Sequence, residues 1–503
     1  STGKKVAVIG GGPAGMAAAY QLRRMGHAAT VFEERAELGG MMRYGIPGYR
    51  IPREKLAAEI NRIVDMGVEV KTNTRVGKDI STDQLEKDFD AVLWALGCWT
   101  GRGLPVDGWD GTSNCVDGLT FLEAFNNGRM KVTGQKIVCI GGGDTSIDVV
   151  SVARRIGYNA DAGLPEAILN NNETHDQSLA DAAVPCDATL TSLFTKDKMF
   201  AAEHEITDAT EEGVTILDGV MPLEVIVGDD GRATGLKVCD CTMDGMTPVP
   251  TEGTERVIEA DLIVAAIGQG GDMEGVEDFA NDRNLINADK NYQVVDKPGH
   301  FVAGDIVRPH LLTTAIGQAS VAAESINSYL MAEKMARRPK VDKHHFSLSE
   351  KLVEVGLEPD PYDKQSSTGT SEENYAVHNF DDRSEHEIIN YDALFLGHFE
   401  QVDRNLRAED VPNSDQVLGH FHERMAGLAE EAAVAEAERC MSCGMCFECD
   451  NCVIFCPQDA VYRVKKDQST TGRYVATDYS KCIGCHICAE VCPTGYIDMG
   501  MGE

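Results

Sequence analysis

Val6-Ala7-Val8-Ile9-Gly10-Gly11-Gly12-Pro13-Ala14-Gly15 runs from a short apolar strand straight into a glycine turn. Gly10, Gly12 and Gly15 fit the spacing G-x-G-x-x-G. In it the first glycine makes the tight turn, the second admits a pyrophosphate against bare backbone, and the third lets helix and strand pack closely. Pro13 and Ala14 open a helix that continues from Met16 to Arg24, with its unpaired N–H groups facing that phosphate. A second apolar run, Ala28-Ala29-Thr30-Val31-Phe32, ends in Glu33 with Glu34 beside it. Glu33 stands about 20 residues past the glycines, where a carboxylate reaches ribose hydroxyls. Strand, turn, helix, strand and terminal acid in one unit predict an α/β dinucleotide-binding fold; a ligand-free glycine turn would explain only the first of these.

The chain has 503 residues and is 43% hydrophobic, enough for two to four domains with real cores. Its 81 acids against 46 Lys plus Arg leave a formal charge of −35, which argues against nucleic acid and anionic membranes as partners. The charge reads as solubility, or as an acidic face for a basic partner. No apolar stretch approaches the ~20 residues of a membrane span, and the N-terminus lacks a signal peptide's apolar core. Ten of the 16 cysteines fall between Cys440 and Cys492 at metal-ligand spacing. That usage implies a reducing compartment, so a cytoplasmic location is expected.

Working outward, Leu38 to Pro47 is a glycine-rich loop too apolar for an ordinary surface turn, and Gly40, Met41, Arg43, Gly45 and Ile46 are expected against the ligand's ring. Residues 54–66 predict an amphipathic helix and 68–70 a short strand. Asp90 to Gly97 predicts a buried strand, with Ala95 and Gly97 at its end. A second unit of the same kind starts at Lys136-Ile137-Val138-Cys139-Ile140, followed by Gly141-Gly142-Gly143-Asp144-Thr145-Ser146 and a helix to about Arg155. Two such folds imply two nucleotides. Residues 156–187 form a polar insertion longer than the usual connection, either functional or mobile, before a strand from Ala188 to Phe194. Residues 214–267 alternate like a β-meander whose close carries Gly268 and Gln269. A strand from His300 ends at Gly304 and Asp305, and a long helix is expected from Leu311 to Met331. Residues 336–420 are polar and read as a connecting arm; Glu423 to Cys440 reads as a helix delivering the chain to its cysteines. The expected domains are 1–105 with 290–335, an inserted 106–289, the arm, and 421–503.

Cys446-x-x-Cys449-x-x-Cys452-x-x-x-Cys456-Pro457 and Cys482-x-x-Cys485-x-x-Cys488-x-x-x-Cys492-Pro493 each match the two-cluster bacterial ferredoxin run. Three thiolates at this spacing wrap one cubane, and the fourth, before proline, reaches the other. The expected sets are Cys446, Cys449, Cys452 and Cys492 for one [4Fe–4S] cluster, and Cys482, Cys485, Cys488 and Cys456 for the second. A zinc site needs only four thiolates and would not favour two such endings. Cys440 and Cys443 extend the first run backwards, either as spare thiols or as a shifted register; the register given is preferred.

With both fingerprints in place, residues 5 to about 330 resemble the flavoprotein family of the glutamate synthase small subunit, which shares its architecture with the thioredoxin reductase group. Gly10 to Gly15, Leu38-Gly39-Gly40, Arg43 to Pro47, Gly141 to Thr145, Ala266 to Gln269 and Ala303-Gly304-Asp305 carry the likeness. The resemblance implies FAD in the outer domain, with Asp305 bonding the ribityl chain and Thr313, Thr314 and Ala315 at the helix start beside the flavin pyrimidine. It implies a pyridine nucleotide in the inserted domain at Gly141, Gly142, Gly143, Asp144, Thr145, Gly268 and Gln269. Two departures stand out. The family usually carries a cysteine-rich helical domain ahead of the flavin fold; the sequence here starts at Ser1, so that domain is expected either to be absent or to lie outside this sequence. Where the family commonly has Tyr-Arg-Arg to hold a 2′-phosphate, this chain has Phe194-Thr195-Lys196. One lysine is a poorer phosphate fork than two arginines, so NADH is expected over NADPH. Cys98, Cys115, Cys139, Cys186, Cys239 and Cys241 form no C-x-x-C or C-x-x-x-x-C pair, so the redox dithiol of disulfide reductases is not expected.

Fused to the ferredoxin run, the flavoprotein most resembles the iron–sulfur flavoproteins that accompany dissimilatory sulfite reductase, the DsrL group. The resemblance implies an oxidoreductase moving electrons between NAD(H), FAD and two [4Fe–4S] clusters, to or from a partner redox enzyme, dissimilatory sulfite reductase first among candidates. No catalytic side chain is required, because the cofactor carries the chemistry. The alternatives are the small subunit of a glutamate synthase, a related bifurcating NAD(P)H:ferredoxin oxidoreductase, and a non-enzymatic electron-transfer or scaffold subunit. The arm's length also admits a homodimer in which one ferredoxin packs on its neighbour.

Overall fold

The computed structural model describes residues 1–335, 403, 405–438, 449–464, 475–492, 496 and 497. The chain divides into two units, Ser1–Met335 with Glu409–Ala426, and Ala336–Ala408 with Gly427–Glu503.

In the first unit Val6, Val8 and Val31 are fully buried, because an apolar run with both faces covered belongs in a parallel sheet between helices. That sheet has five strands in the order His300–Val302, Ala91–Trp94, Lys5–Ile9, Ala28–Phe32, Glu69–Lys71, all parallel. Helix Pro13–Arg24 follows the first glycine turn, with proline where the missing N–H costs nothing. Its Ala14, Ala18, Ala19 and Leu22 share one core with Ala315, Ala319, Ala322 and Ala323 of helix Leu312–Leu330. Small residues on both faces let the two helices approach closely.

The inserted half repeats this plan, with parallel strands Cys115–Asp117, Leu262–Ala265, Lys136–Ile140, Asp187–Ser192 and Thr215–Asp218 in that order. In both halves the chain reverses its winding between the first strand and its crossover neighbour, so the crevice beyond the strands' carboxyl ends lies at the glycine turn. The outgoing and returning connections between the halves pair as Thr100–Gly101 with Gln269–Gly270. Asn126 donates to the carbonyls of Tyr44 and Gly45, Arg53 donates to Asn126 Oδ1, and Arg35 pairs with Glu123 across the same junction.

Several expectations shift. The region 214–267 is not one meander. Its first strand, Thr215–Asp218, and its last, Leu262–Ala265, join the parallel sheet, and only Val220–Val227, Ala233–Asp244, Thr247–Pro250 and Arg256–Glu259 are antiparallel. Alternation marks half-buried strands and could not identify the fully buried Leu262–Ala265 as a separate class. The insertion 156–187 contains short helices Pro165–Asn170 and Ser178–Asp181. Helices Thr82–Asp88 and Gly118–Asn126, capped by Ser81 and Asp117, were not legible as periodic runs. The expected helix 423–440 is confined, among the described residues, to Glu430–Glu438.

The segment 409–426 is a strap on the inserted half rather than free arm. Val417 is buried, Gly419 N–H donates to Arg155 O at 2.8 Å, and Arg154 Nη2 donates to Ser414 O at 3.2 Å. Phe421 stacks on Phe125 at 6.0 Å, and Arg424 pairs with Asp208. The rest of the proposed arm, 336–402, lies outside the described residues.

In the second unit, strands Val461–Arg463 and Val475–Thr477 pair antiparallel, and Val461, Val475 and Cys452 form a small core that includes Cys456, Cys488 and Ile497. Helices Asn451–Ile454 and Ile487–Glu490 each begin after a left-handed residue, Asp450 (φ 61) and His486 (φ 63), two positions before the third cysteine of each run. The sequence repeat is therefore a structural repeat.

Candidate functional site

Each glycine of the first turn has its own physical reason. Gly10 has φ +105, and a Cβ there would lie 2.3 Å from Ala95 O; one on Gly15 would lie 1.9 Å from Gly10 O. Gly15 is thus the packing glycine and stands off the cavity wall. Gly40, at φ +51, lays the 38–46 loop over the turn, since its Cβ would fall 2.7 Å from Gly12 Cα. In the second turn a Cβ on Gly141 would meet Ala266 O at 2.5 Å, whereas one on Gly143 would have nothing within 4 Å. Ser146 takes the third position and its hydroxyl donates to Gly143 O at 2.6 Å, so the turn's own carbonyl is satisfied.

Both turns open on one cavity of about 1320 Å³. Drug-sized ligands take pockets of roughly 300–1,000 Å³, so this space suits two dinucleotides better than one. Three helices begin at its wall, after Gly12, Gly143 and Leu311, none with a side-chain cap. Their orphan N–H groups are ready donors to phosphate oxygens or a flavin's carbonyl edge.

Of the residues expected to hold FAD, Gly10, Gly12, Pro13, Ala14, Glu33, Glu34, Gly40, Met41, Gly45, Ile46, Ala95, Gly97, Gly304, Asp305, Thr313 and Ala315 line the cavity. Arg43 does not, because its guanidinium turns to Leu38 O at 2.7 Å and Glu37 at 3.1 Å. Thr314 also lies off the wall, its hydroxyl 2.7 Å from His310 Nδ1. Glu33 accepts from Gly11 N at 2.8 Å and Arg35 N at 2.9 Å; burial pushes its carboxyl up and the two N–H groups pull it back. Asp305 accepts from His310 N at 3.2 Å, and burial raises its carboxyl above the ordinary range. Gly304 at φ +85 leaves room for Ala14, whose Cβ would be 2.9 Å from a Cβ there.

On the other side Gly141, Gly142, Gly143, Asp144, Thr145, Gly268 and Gln269 line the same cavity. Thr195 and Lys196 lie off its wall, and Lys196 N instead donates to Asp218 Oδ2 at 2.9 Å. Sequence reasoning missed Thr74, Arg75 and Val76, the facing Asp272 and Glu274, and the apolar Phe194, Phe200, Met221 and Met246. None belongs to a motif; only tertiary folding brings them together. Among the described residues Cys98 is the one thiol on the wall. It donates to Asp305 O at 3.2 Å, and burial pushes it up to about 12, so it is a satisfied thiol rather than half of a dithiol.

In the second unit Cys446, Cys440 and Cys443 lie outside the described residues. Burial raises the Cys482 and Cys488 thiols, Cys488 to about 11, and Cys456 and Cys485 push both further. Cys456 and Cys485 therefore lie near both Cys482 and Cys488, and Cys456 is the member that comes from the other run. Among the described residues no three donors close on a single-metal point; thiolates spread around a cubane need not do so. The donor set fits the proposed second cluster. Cys449, Cys452 and Cys492 stay as proposed ligands of the first.

Fold and cavity together define a two-nucleotide oxidoreductase scaffold carrying a cysteine-rich iron–sulfur module. The chain belongs to the pyridine nucleotide-disulphide oxidoreductase family, which matches residues 4–323, and a 4Fe-4S dicluster domain matches residues 439–496. It is 33% identical over 358 residues to the glutamate synthase [NADPH] small chain of Mycobacterium tuberculosis, covering 67% of this chain and 69% of that one. It is 31% identical over 454 residues to the NADP(+)-dependent formate dehydrogenase subunit beta of Moorella thermoacetica, covering 88% of this chain and 55% of that one. The chain thus spans little more than half the length of that relative. Among solved structures, FprA from Mycobacterium tuberculosis superposes with a TM-score of 0.55 at 15% identity over 66% of this chain and 85% of that one, a likeness of fold. No described helix is long and apolar enough to cross a membrane.

Proposed function

We propose that this chain is the NAD(P)H-oxidising or NAD(P)+-reducing subunit of a larger redox assembly, exchanging electrons with a partner enzyme through FAD and two [4Fe–4S] clusters. The observation that carries the reading is the single cavity walled by both glycine turns, in a chain whose second unit gathers Cys456 with Cys482, Cys485 and Cys488. FAD would supply the exchange between hydride and single electrons. The chain's residues hold and orient the two nucleotides: glycine backbone and uncapped helix starts at the pyrophosphates, Glu33 at a ribose, Asp305 beside the ribityl chain, and the 38–46 loop over the ring. The eight cysteines Cys446, Cys449, Cys452, Cys456, Cys482, Cys485, Cys488 and Cys492 would hold the clusters. The expected domains are 1–105 with 290–335 for FAD, 106–289 for the pyridine nucleotide and 421–503 for the clusters, with the strap 409–426 anchored on the nucleotide half. The cytoplasm is the compartment such clusters suit.

Dissimilatory sulfite reductase is the partner we favour, on the resemblance of the fusion's cysteine pattern. The similarity to the glutamate synthase small chain supports a second reading, electron delivery to a glutamate synthase. We favour NADH over NADPH because no arginine stands at the end of strand Asp187–Ser192, and the Asp218 carboxylate beside Lys196 N would repel a 2′-phosphate. Relatives with NADP in their names pull the other way, and one, the subunit PreT of Escherichia coli at 33% identity, is described as part of an NAD-dependent enzyme. Anaerobic stopped-flow of the full chain with NADH and with NADPH tests the reading. Flavin bleaching followed by cluster reduction supports it, and a flavin inert to both nucleotides refutes it in favour of a scaffold.

A further inference from the structure

Two loops that the sequence keeps nearly 200 residues apart meet backbone to backbone at one end of the cavity. Gly77 and Gly275 have φ of +93 and +85; a Cβ on the first would lie 2.6 Å from Gly275 O, and one on the second 2.8 Å from Gly77 O. Only a glycine pair permits this approach. Across the seam Arg75 pairs with acids on both sides: its Nη1 lies 2.8 Å from Glu34 Oε2, its Nη2 lies 2.8 Å from Asp272 Oδ1, and the same Nη2 donates to Glu274 O at 3.3 Å. From below, Met273 and Val276 are buried in the core that holds Val76 and Phe32, so the second loop is pinned on both sides. Arg75, Asp272 and Glu274 line the cavity next to Glu33. On the functional reading above, Glu33 marks the ribose end of the first dinucleotide, remote in sequence from the Gly304–Asp305 and 313–315 stretches expected beside the ring.

We propose that Arg75 and the loop 271–276 form an ion-paired latch over the adenosine half of the dinucleotide in the first site, retaining FAD and discriminating against flavins that lack adenosine. The proposal rests on the reading that this site takes FAD. The latch holds because Arg75 ties Glu34, on the FAD strand's end, to Asp272, on the returning loop. A guanidinium is planar and cationic, a group that stacks on aromatic faces such as adenine. The surplus of carboxylates there suits a ribose with free hydroxyls and repels a phosphorylated one. The Arg75 side chain is 22% exposed and that of Asp272 41%, so salt screens the latch and loosens it.

The test uses the full chain, clusters intact, stripped of flavin and titrated with FAD and with FMN by quenching of flavin fluorescence. Arg75→Ala is expected to weaken FAD about tenfold, the loss that follows removal of a charge-assisted hydrogen-bonded group, while FMN affinity stays within about twofold. Arg75→Lys is expected to lie between, and added salt to weaken FAD in the native chain more than in the alanine variant. Equal weakening of FAD and FMN, or unchanged FAD affinity, overturns the latch. If Arg75→Ala does not fold, Asp272→Asn carries the same comparison, since it removes one partner and leaves the glycine seam. A native chain that binds no FAD refutes the functional reading itself, a result separate from any variant's FAD-to-FMN ratio.

Discussion

Adding one methyl group at Gly143 separates a structural glycine from a ligand-contacting one. The residue has φ −110 and ψ 175, ordinary extended backbone, and an added Cβ meets no atom within 4 Å. Gly143→Ala therefore costs the folded chain nothing sterically. Restricting the unfolded chain stabilises by about 0.4–1 kcal/mol, and alanine at the N-cap of helix Asp144–Ile156 costs a similar amount, so stability is expected to stay within about 1 kcal/mol of the native chain's. The space the methyl enters is where a pyrophosphate would approach the start of helix Asp144–Ile156. Pushing the phosphate back by part of an ångström forfeits one charge-assisted hydrogen bond, about 1.5–3 kcal/mol, or roughly 10- to 150-fold in Kd. The assay is anaerobic calorimetric titration with a non-reducible NADH analogue, beside thermal unfolding and the flavin spectrum. The prediction is a large loss of nucleotide affinity with an unshifted flavin spectrum and a near-native Tm. Affinity equal to the native chain's would refute the assignment of this turn to a nucleotide, and a stability loss well beyond about 1 kcal/mol would refute the claim of free space.

Other consequences follow from the same structure. Arg155 and Glu212 form a two-pronged pair at 2.6 and 2.5 Å with side chains 4% and 3% exposed; Glu212→Leu should cost about 3–5 kcal/mol in urea denaturation, and adding Arg155→Met should recover most of it. His300 Nδ1 accepts from Trp94 and its Nε2 lies 3.0 Å from Glu86; burial holds its pKa below 6.5, against the pull of Glu86. The unfolded chain binds that proton more readily, so stability is full above pH 6.5 and falls as pH drops from 6.5 through the folded value. A urea midpoint flat from pH 7.5 to 5.5 would contradict this, and His300→Gln should flatten the profile. Cys456→Ser should perturb the cluster held by Cys482, Cys485 and Cys488 in electron paramagnetic resonance, whereas Cys440→Ser and Cys443→Ser should leave iron content unchanged; the reverse pattern means a shifted register.

How far the fold was readable depended on how local each signal was. The strand–glycine–helix units at Val6 to Gly15 and Lys136 to Ser146 are contiguous in sequence, and both appear as the central strand and first helix of a five-stranded sheet. The ferredoxin spacing is local as well, and the left-handed Asp450 and His486 show it repeated in three dimensions. By contrast, the strap at 409–426 carries no apolar run. Its anchors are Val417, the Phe421 ring on Phe125, and pairs such as Arg424 with Asp208, which only the folded nucleotide half presents. Thr195 and Lys196 were placed by resemblance to the family's Tyr-Arg-Arg at a strand end, but the turn after Ser192 swings them off the wall and brings Phe194 and Phe200 to it. Arg75 sits in a polar stretch that reads as a surface loop until Gly275 and Asp272 close on it.

The account stands most directly on what the intact chain contains and what it does with reducing nucleotide. Prepared without oxygen, it should be yellow-brown and hold one FAD and about eight irons per polypeptide. NADH should bleach the flavin before cluster signals grow in. A colourless preparation, far fewer irons, or a flavin that bleaches while the clusters stay oxidised would contradict it.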